Sequence, residues 1–357
     1  MNNHDLWANA YYNPFSSKRL KKNMKQLITF AKSRGIDAFV ELEVEKSAED
    51  QHYILTLLLN SILDEIRLEH TLPDNFKVGV LSRDREDFSA NMDRATSDGD
   101  YVIFIDDLLE SIAFSLVIAL IYWDIVKDDP NESANCFKYI AFELNEYGAK
   151  RTRPATPEWV YLQGIKILTY AEKTLHVLSD VYLIVIGFIL AHELGHFVLG
   201  HHGSATRTID NEYSADDFAY KTLLSMIERQ SHHILEHGSR PELDMCSEYT
   251  YLAPLIFFDI MQMIEHYNET IYGSSTFHDA IKQIVARKTH LESWVYDSPD
   301  IYDFDTSDGN AIYSAVLNSI DRFRDELEWF AMNDKSGLLN FNSTPHATAV
   351  RNDEVKP

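Results

Sequence analysis

The run Val181–Leu190, VYLIVIGFIL, constrains this chain more than any other segment. Its apolar residues fall on every side of a helix, so it cannot be an ordinary amphipathic surface helix and must be enclosed by the rest of the protein. It is also too short to cross a bilayer, which takes about 20 residues. It leads straight into AHELGHFVLGHH, 191–202, which carries His192, Glu193 and His196. Two imidazoles and a carboxylate on a buried helix are costly unless something compensates them.

A metal ion would compensate them. His192 and His196 are four residues apart, so on a helix their rings lie on one side, one turn apart. Both can then bind one Zn²⁺ at about 2.0–2.1 Å. Glu193 stands one residue round, beside the metal rather than on it. There it can take a proton from a water whose pKa falls to about 7 in such sites. With 15 histidines in 357 residues, chance supplies roughly 0.04 copies of H-E-x-x-H, so the pattern carries weight. Gly195 keeps the helix narrow beside the site.

A catalytic zinc takes a third protein ligand and keeps one position open. DNEYSADDFAY, 210–220, offers it. The interval from His196 to Glu212 is long enough to end the first helix, turn, and begin a second one antiparallel to it. Glu212 and Asp216 share a face of that second helix. Glu212 is expected to bind zinc, and Asp216 to accept the second N–H of a zinc-ligating histidine, which fixes its tautomer. Ala215 and Ala219 let the two helices approach closely. His202 is the competing third ligand, ten residues after His192, but Leu199 stands where that geometry needs a glycine to turn the chain. His201 and His202 are expected to end the motif helix, where the helix dipole favours a protonated imidazole.

Around this centre the chain reads as α+β, predominantly helical. The first part mixes elements: a basic helix at 17–33, a strand at 36–45, a helix at 49–70, strands FKVGVLS and YVIFID, and an apolar helix at about 107–126 closed by Asp129-Pro130. Periods of 3.6 then predict helices at 132–148, 157–176, 179–202, 210–230, 242–270, 277–296 and 309–332. The proline-containing TRPATP, 152–157, is the clearest interior break. The expected organisation is an N-terminal α/β portion over 1–150, a helical core over 151–341, and a disordered tail over 342–357, possible as one continuous domain.

The net charge is −24, which repels phosphate at long range and argues against nucleic acid and anionic membranes as partners. Cys136 and Cys246 show no metal-ligand spacing and suit buried side chains in a reducing compartment. With no signal-peptide-like start, a cytoplasmic protein is expected.

HELGHFVLGH followed by E-x-x-A-D-x-F-A resembles the gluzincin metallopeptidases. The nearest likenesses are to prenyl-protein and quality-control endopeptidases, ImmA/IrrE-type peptidases and phage-exclusion peptidases of the Lit type. The resemblance is strong over 181–224. It implies a zincin-like fold and a zinc-dependent endopeptidase acting on a protein or peptide. It also implies His192, His196 and Glu212 as zinc ligands and Glu193 as general base; a phage-exclusion role comes from the likeness alone. Many relatives add a T-H-P segment with an arginine six residues after its histidine. Here STFHDAIKQIVAR stands in its place: Asp279 follows His278, and Ile284 occupies the arginine's position. His278 or Tyr220 is then the candidate oxyanion donor, with Lys282 or Arg287 as substitutes for the arginine. The substrate would add as a strand to a sheet edge, for which Tyr101–Asp106 is the candidate. The rival readings are a catalytically silent zinc module in an interaction protein and a zinc hydrolase of a non-peptide substrate.

Overall fold

A computed structural model describes residues 44–83, 90–94, 100–106, 125–148, 158–171, 175–201, 208–237, 253–272 and 275–297, with parts of 25–34, 116–123 and 321–326. The elements are α1 (Val44–Glu69), β1 (Lys77–Arg83), β2 (Ala90–Arg94), β3 (Asp100–Asp106), α2 (Pro130–Gly148), α3 (Glu158–Ala171), α4 (Leu175–Val198), α5 (Ile209–His237), α6 (Ala253–Tyr272) and α7 (Ser275–Asp297). The fold is α+β and mostly helical, with one small mixed sheet among the described residues.

The sheet order is β1-β3-β2. β1 runs parallel to β3, with Val80 opposite Ile103, and β2 runs antiparallel to it, with Met92 opposite Ile103. Val102, Ile103, Phe104 and Ile105 are all buried, as a continuous apolar run on a strand covered on both faces should be. β3 is therefore the middle strand. The edge expected at Tyr101–Asp106 is occupied on both sides, and the strand beside the motif helix is β2. In β2 only Met92 is buried, while Asp93 and Arg94 are exposed.

α4 is the enclosed helix that the apolar run demanded. Every residue from Leu183 to His196 is buried, and the helix touches α1, α5, α6 and β2. α1 brings Leu58, Ile62 and Ile66 to this core. Its Glu65 receives two 2.9 Å hydrogen bonds from Arg229 of α5. α6 brings Phe257 and Phe258 against Phe188. Beyond His196 the helix emerges from the core, and Phe197 packs on Phe76 and Tyr101 with ring centroids 4.7 and 4.8 Å away.

Caps explain several boundaries. Asp129 Oδ1 accepts the backbone N–H groups of Asn131 and Glu132 at 2.9 and 3.2 Å, and Pro130 takes the first helical position, where no N–H is needed. Asp129-Pro130 thus begins α2 two residues before its expected start. α4 ends at Val198 rather than at 202, because Gly200 takes a left-handed φ of 73°. Thr208 caps α5: its Oγ1 accepts the Asn211 N–H at 3.3 Å.

The strand expected at 36–45 is contradicted at its end, where α1 already begins at Val44. Its alternation of apolar and charged residues gives way there to VEKSAEDQ, a good helix start. Residues 36–43, the TRPATP break, the tail from 342, Cys246, His202 and the expected helical stretch 242–252 lie outside the described residues. Residues 116, 119, 122, 123, 125 and 126 are helical, and Leu116, Ala119 and Trp123 are fully or almost fully buried. Cys136 is buried, and its Sγ lies 3.4 Å from the Ala119 carbonyl. Among the described residues no helix is long and apolar enough to cross a membrane.

Candidate metal centre

The site forms where the last turns of α4 meet the first turns of α5. Gly195 allows that meeting. A Cβ there would sit 2.9 Å from Phe218 Cδ1 and 3.4 Å from the Ala215 carbonyl oxygen, both on α5. Ala215 and Ala219 are themselves fully buried. Capping by Thr208 starts α5 early enough to hold Glu212 in its first turn.

Three side chains converge. Nε2 of His192 and Nε2 of His196 are 3.0 Å apart. Glu212 Oε2 lies 3.4 Å from the first nitrogen, and Oε1 lies 3.5 Å from the second. Around a tetrahedral ion with ligands at about 2.0–2.1 Å, neighbouring ligand atoms stand roughly 3.3 Å apart. The donor set, two imidazoles and one carboxylate, and these separations fit a zinc-sized ion. The two histidines are buried and Glu212 is half-buried, and these three residues could hold a metal ion.

Other residues orient the three. Asp216, with a fully buried side chain, lies 2.9 Å from His192 Nδ1 through its Oδ1. Arg287 of α7 grips the same carboxylate from behind: Nε donates to Oδ2 and Nη2 to Oδ1, both at 2.7 Å. Its Nη1 lies 3.3 Å from Glu212 Oε2, and the guanidinium stacks 5.1 Å from the Phe258 ring centroid. Arg287 therefore faces the carboxylates of Asp216 and Glu212 and takes up the position of an ion-pair clamp. Lys282, by contrast, is exposed and pairs with Asp279 at 3.8 Å.

These neighbours set the electrostatics. Burial pushes His192 down, but hydrogen bonds to Asp216 and Glu212 outweigh it and raise its pKa to about 9. Burial would raise Glu212, yet the two histidines and Arg287 hold it far below the usual carboxylate range. Asp216 is likewise held low, by Arg287 first and His192 second, against its burial. Both carboxylates are therefore anionic at neutral pH, as a cation site requires.

Glu193 is 3% exposed and its Oε2 accepts the backbone N–H of Met92 at 3.1 Å. The outer edge of β2 thus lies directly against it. ANMDR alternates apolar Ala90 and Met92 with polar Asn91 and Asp93, but it is five residues long with no β-branched or aromatic side chain, too weak a pattern to mark a strand. His278 is in the first turns of α7, but its side chain lies outside the described residues. Tyr220 is in the buried core, 2% exposed. Asp217 pairs with His290 at 2.8 Å, and Tyr213 stacks on that ring with centroids 4.6 Å apart.

Fold and site together define a helical α+β protein with a His-His-Glu cluster able to hold a metal and a buried glutamate, Glu193, adjacent in sequence to the first histidine. Over residues 130–292, from the start of α2 nearly to the end of α7, the chain matches the family described as Peptidase U49. That span contains all the cluster residues, and the match supports a peptidase. No curated protein and no solved structure matches the chain.

Proposed function

We propose that the chain is a zinc-dependent endopeptidase in which His192, His196 and Glu212 hold the metal and Glu193 is the general base. The observation that carries this reading is the convergence of two Nε2 atoms and a carboxylate at 3.0–3.5 Å, with Glu193, adjacent in sequence to His192, outside that ligand set. The family match over the same residues supports hydrolysis of a peptide bond.

A zinc ion bound there supplies a Lewis acid and lowers the pKa of a water to about 7. Glu193 takes the proton from the attacking water and hands it to the leaving amine. The Met92 N–H fixes one oxygen of Glu193, so the carboxylate is held in place before substrate arrives. Asp216 faces His192 Nδ1 at 2.9 Å and orients that ring by its charge, and Arg287 keeps Asp216 ionised and stationary. A peptide adding to the outer edge of β2 would bring its scissile bond alongside Glu193. β2 thus replaces Tyr101–Asp106 as the candidate substrate strand.

The test is metal content and hydrolysis on one preparation. About one zinc per chain and cleavage of casein but not of a panel of simple esters are expected. A zinc-replete protein that leaves casein intact and cleaves an ester would move the assignment to a non-peptide hydrolase.

A further inference from the structure

The two candidate ligand histidines are held by different chemistry. His192 Nδ1 meets a carboxylate. His196 Nδ1 lies 3.0 Å from Nδ1 of His201, with the rings meeting edge-on at a centroid distance of 5.3 Å. That neighbour is unexpected from spacing. On a continuous helix, five residues correspond to about 500°, which would point His201 some 140° away from His196. The helix end brings it back. Gly200 adopts φ 73° and its N–H bonds the Phe197 carbonyl at 3.1 Å, while the His201 N–H bonds the His196 carbonyl at 2.8 Å. This is the paired six-to-one and five-to-two closure that a left-handed glycine permits. His201 is thereby joined to His196 twice, once through backbone and once through the rings.

We infer that His201 is a positioning residue for the metal centre: its Nδ1 accepts the Nδ1–H of His196 and so holds His196 in the tautomer whose Nε2 lone pair faces the metal. The inference rests on the metal site proposed above. A neutral imidazole that ligates through Nε2 must carry its proton on Nδ1, and that proton needs an acceptor. His201 supplies one when its own proton sits on Nε2. The helix cap then does two things at once: it satisfies the carbonyls of His196 and Phe197 and delivers the acceptor to the ligand.

The test compares wild type, His201→Phe and His201→Asn for zinc affinity by chelator competition. Thermal melting of the metal-free proteins and the imidazole ¹⁵N spectrum of the zinc-loaded ones complete the comparison. Phenylalanine keeps the ring volume and the backbone cap but accepts nothing. Asparagine puts its Oδ1 where the acceptor nitrogen was. His201→Phe should bind zinc about 10–100-fold more weakly, with His201→Asn within about threefold of wild type. In the wild-type spectrum His196 should carry its proton on Nδ1. Wild-type zinc affinity in His201→Phe, or an asparagine variant as weak as phenylalanine, overturns the inference while leaving the metal site standing. A wild-type protein that takes up no zinc overturns both.

Discussion

Replacing Arg287 by Met should destabilise the metal-free protein by about 3–5 kcal/mol, the usual cost of stranding one member of a buried ion pair. The structure leads to the same figure independently. Arg287 makes two 2.7 Å hydrogen bonds to Asp216, whose side chain is 0% exposed. Charged hydrogen bonds contribute about 1.5–3 kcal/mol each, so two give roughly 3–6. Methionine fills much of the same volume against Phe258, which isolates the charge from the packing. Without the guanidinium, Asp216 keeps only the approach of the His192 ring at 2.9 Å among the contacts described above and is left as a buried anion. Urea unfolding at neutral pH measures the loss as a lower midpoint at unchanged slope. Asp216→Asn in the same background removes the stranded charge, so the double variant should recover about 2 kcal/mol relative to Arg287→Met alone. A loss below about 1 kcal/mol in Arg287→Met, or a double variant that merely sums two losses, would refute the clamp.

Glu212→Ala should lose most of its bound zinc, and Asp216→Asn should fall between it and wild type in a chelator competition, because an amide keeps an oxygen facing His192 Nδ1 but loses the charge. An Asp216→Asn protein with wild-type retention would make that carboxylate irrelevant to the metal. Gly195→Val should cost about 1–3 kcal/mol by overpacking and lower zinc content as well, since its Cβ would press on Phe218 at 2.9 Å and push α5 with Glu212 away; thermal melting and metal analysis read the two effects. The pH dependence follows from His192. Its folded pKa, raised to about 9, stabilises the metal-free protein fully below the ordinary value near 6.5, and that stabilisation is lost as pH rises through 9. Zinc must displace this proton, so zinc affinity should climb between pH 7 and 9, by up to about tenfold per unit, and level off above. A flat profile over that range would show that His192 is already neutral.

The features that repeat along the chain were legible in the sequence. An apolar run without a polar face could only be an enclosed helix, and the four-residue steps His192–His196 and Glu212–Asp216 fixed which side chains share a face. What escaped was set by tertiary contact. β2 has only a short alternation, Ala90 and Met92 against Asn91 and Asp93, without β-branched or aromatic residues, and it is its pairing with β3 that makes it a strand. β3 looked like an available edge because its apolar run does not tell which neighbours will cover it. Arg287 could be named from its neighbourhood in sequence, but its contact with Asp216, 71 positions away, is a property of how α7 packs on α5. The approach of His201 to His196 depends on one left-handed glycine, and spacing alone pointed it the other way.

The central claim is that Glu193 activates water for peptide hydrolysis at this centre. It is tested most directly by comparing new protein N-termini in cells expressing wild type or Glu193→Gln. Glutamine keeps the volume of the side chain but cannot accept the water's proton at neutral pH. The purified variant should retain wild-type zinc content, and its cells should lack a set of new termini that wild type produces. Identical termini in the two samples, with equal zinc and equal protein levels, would contradict the account.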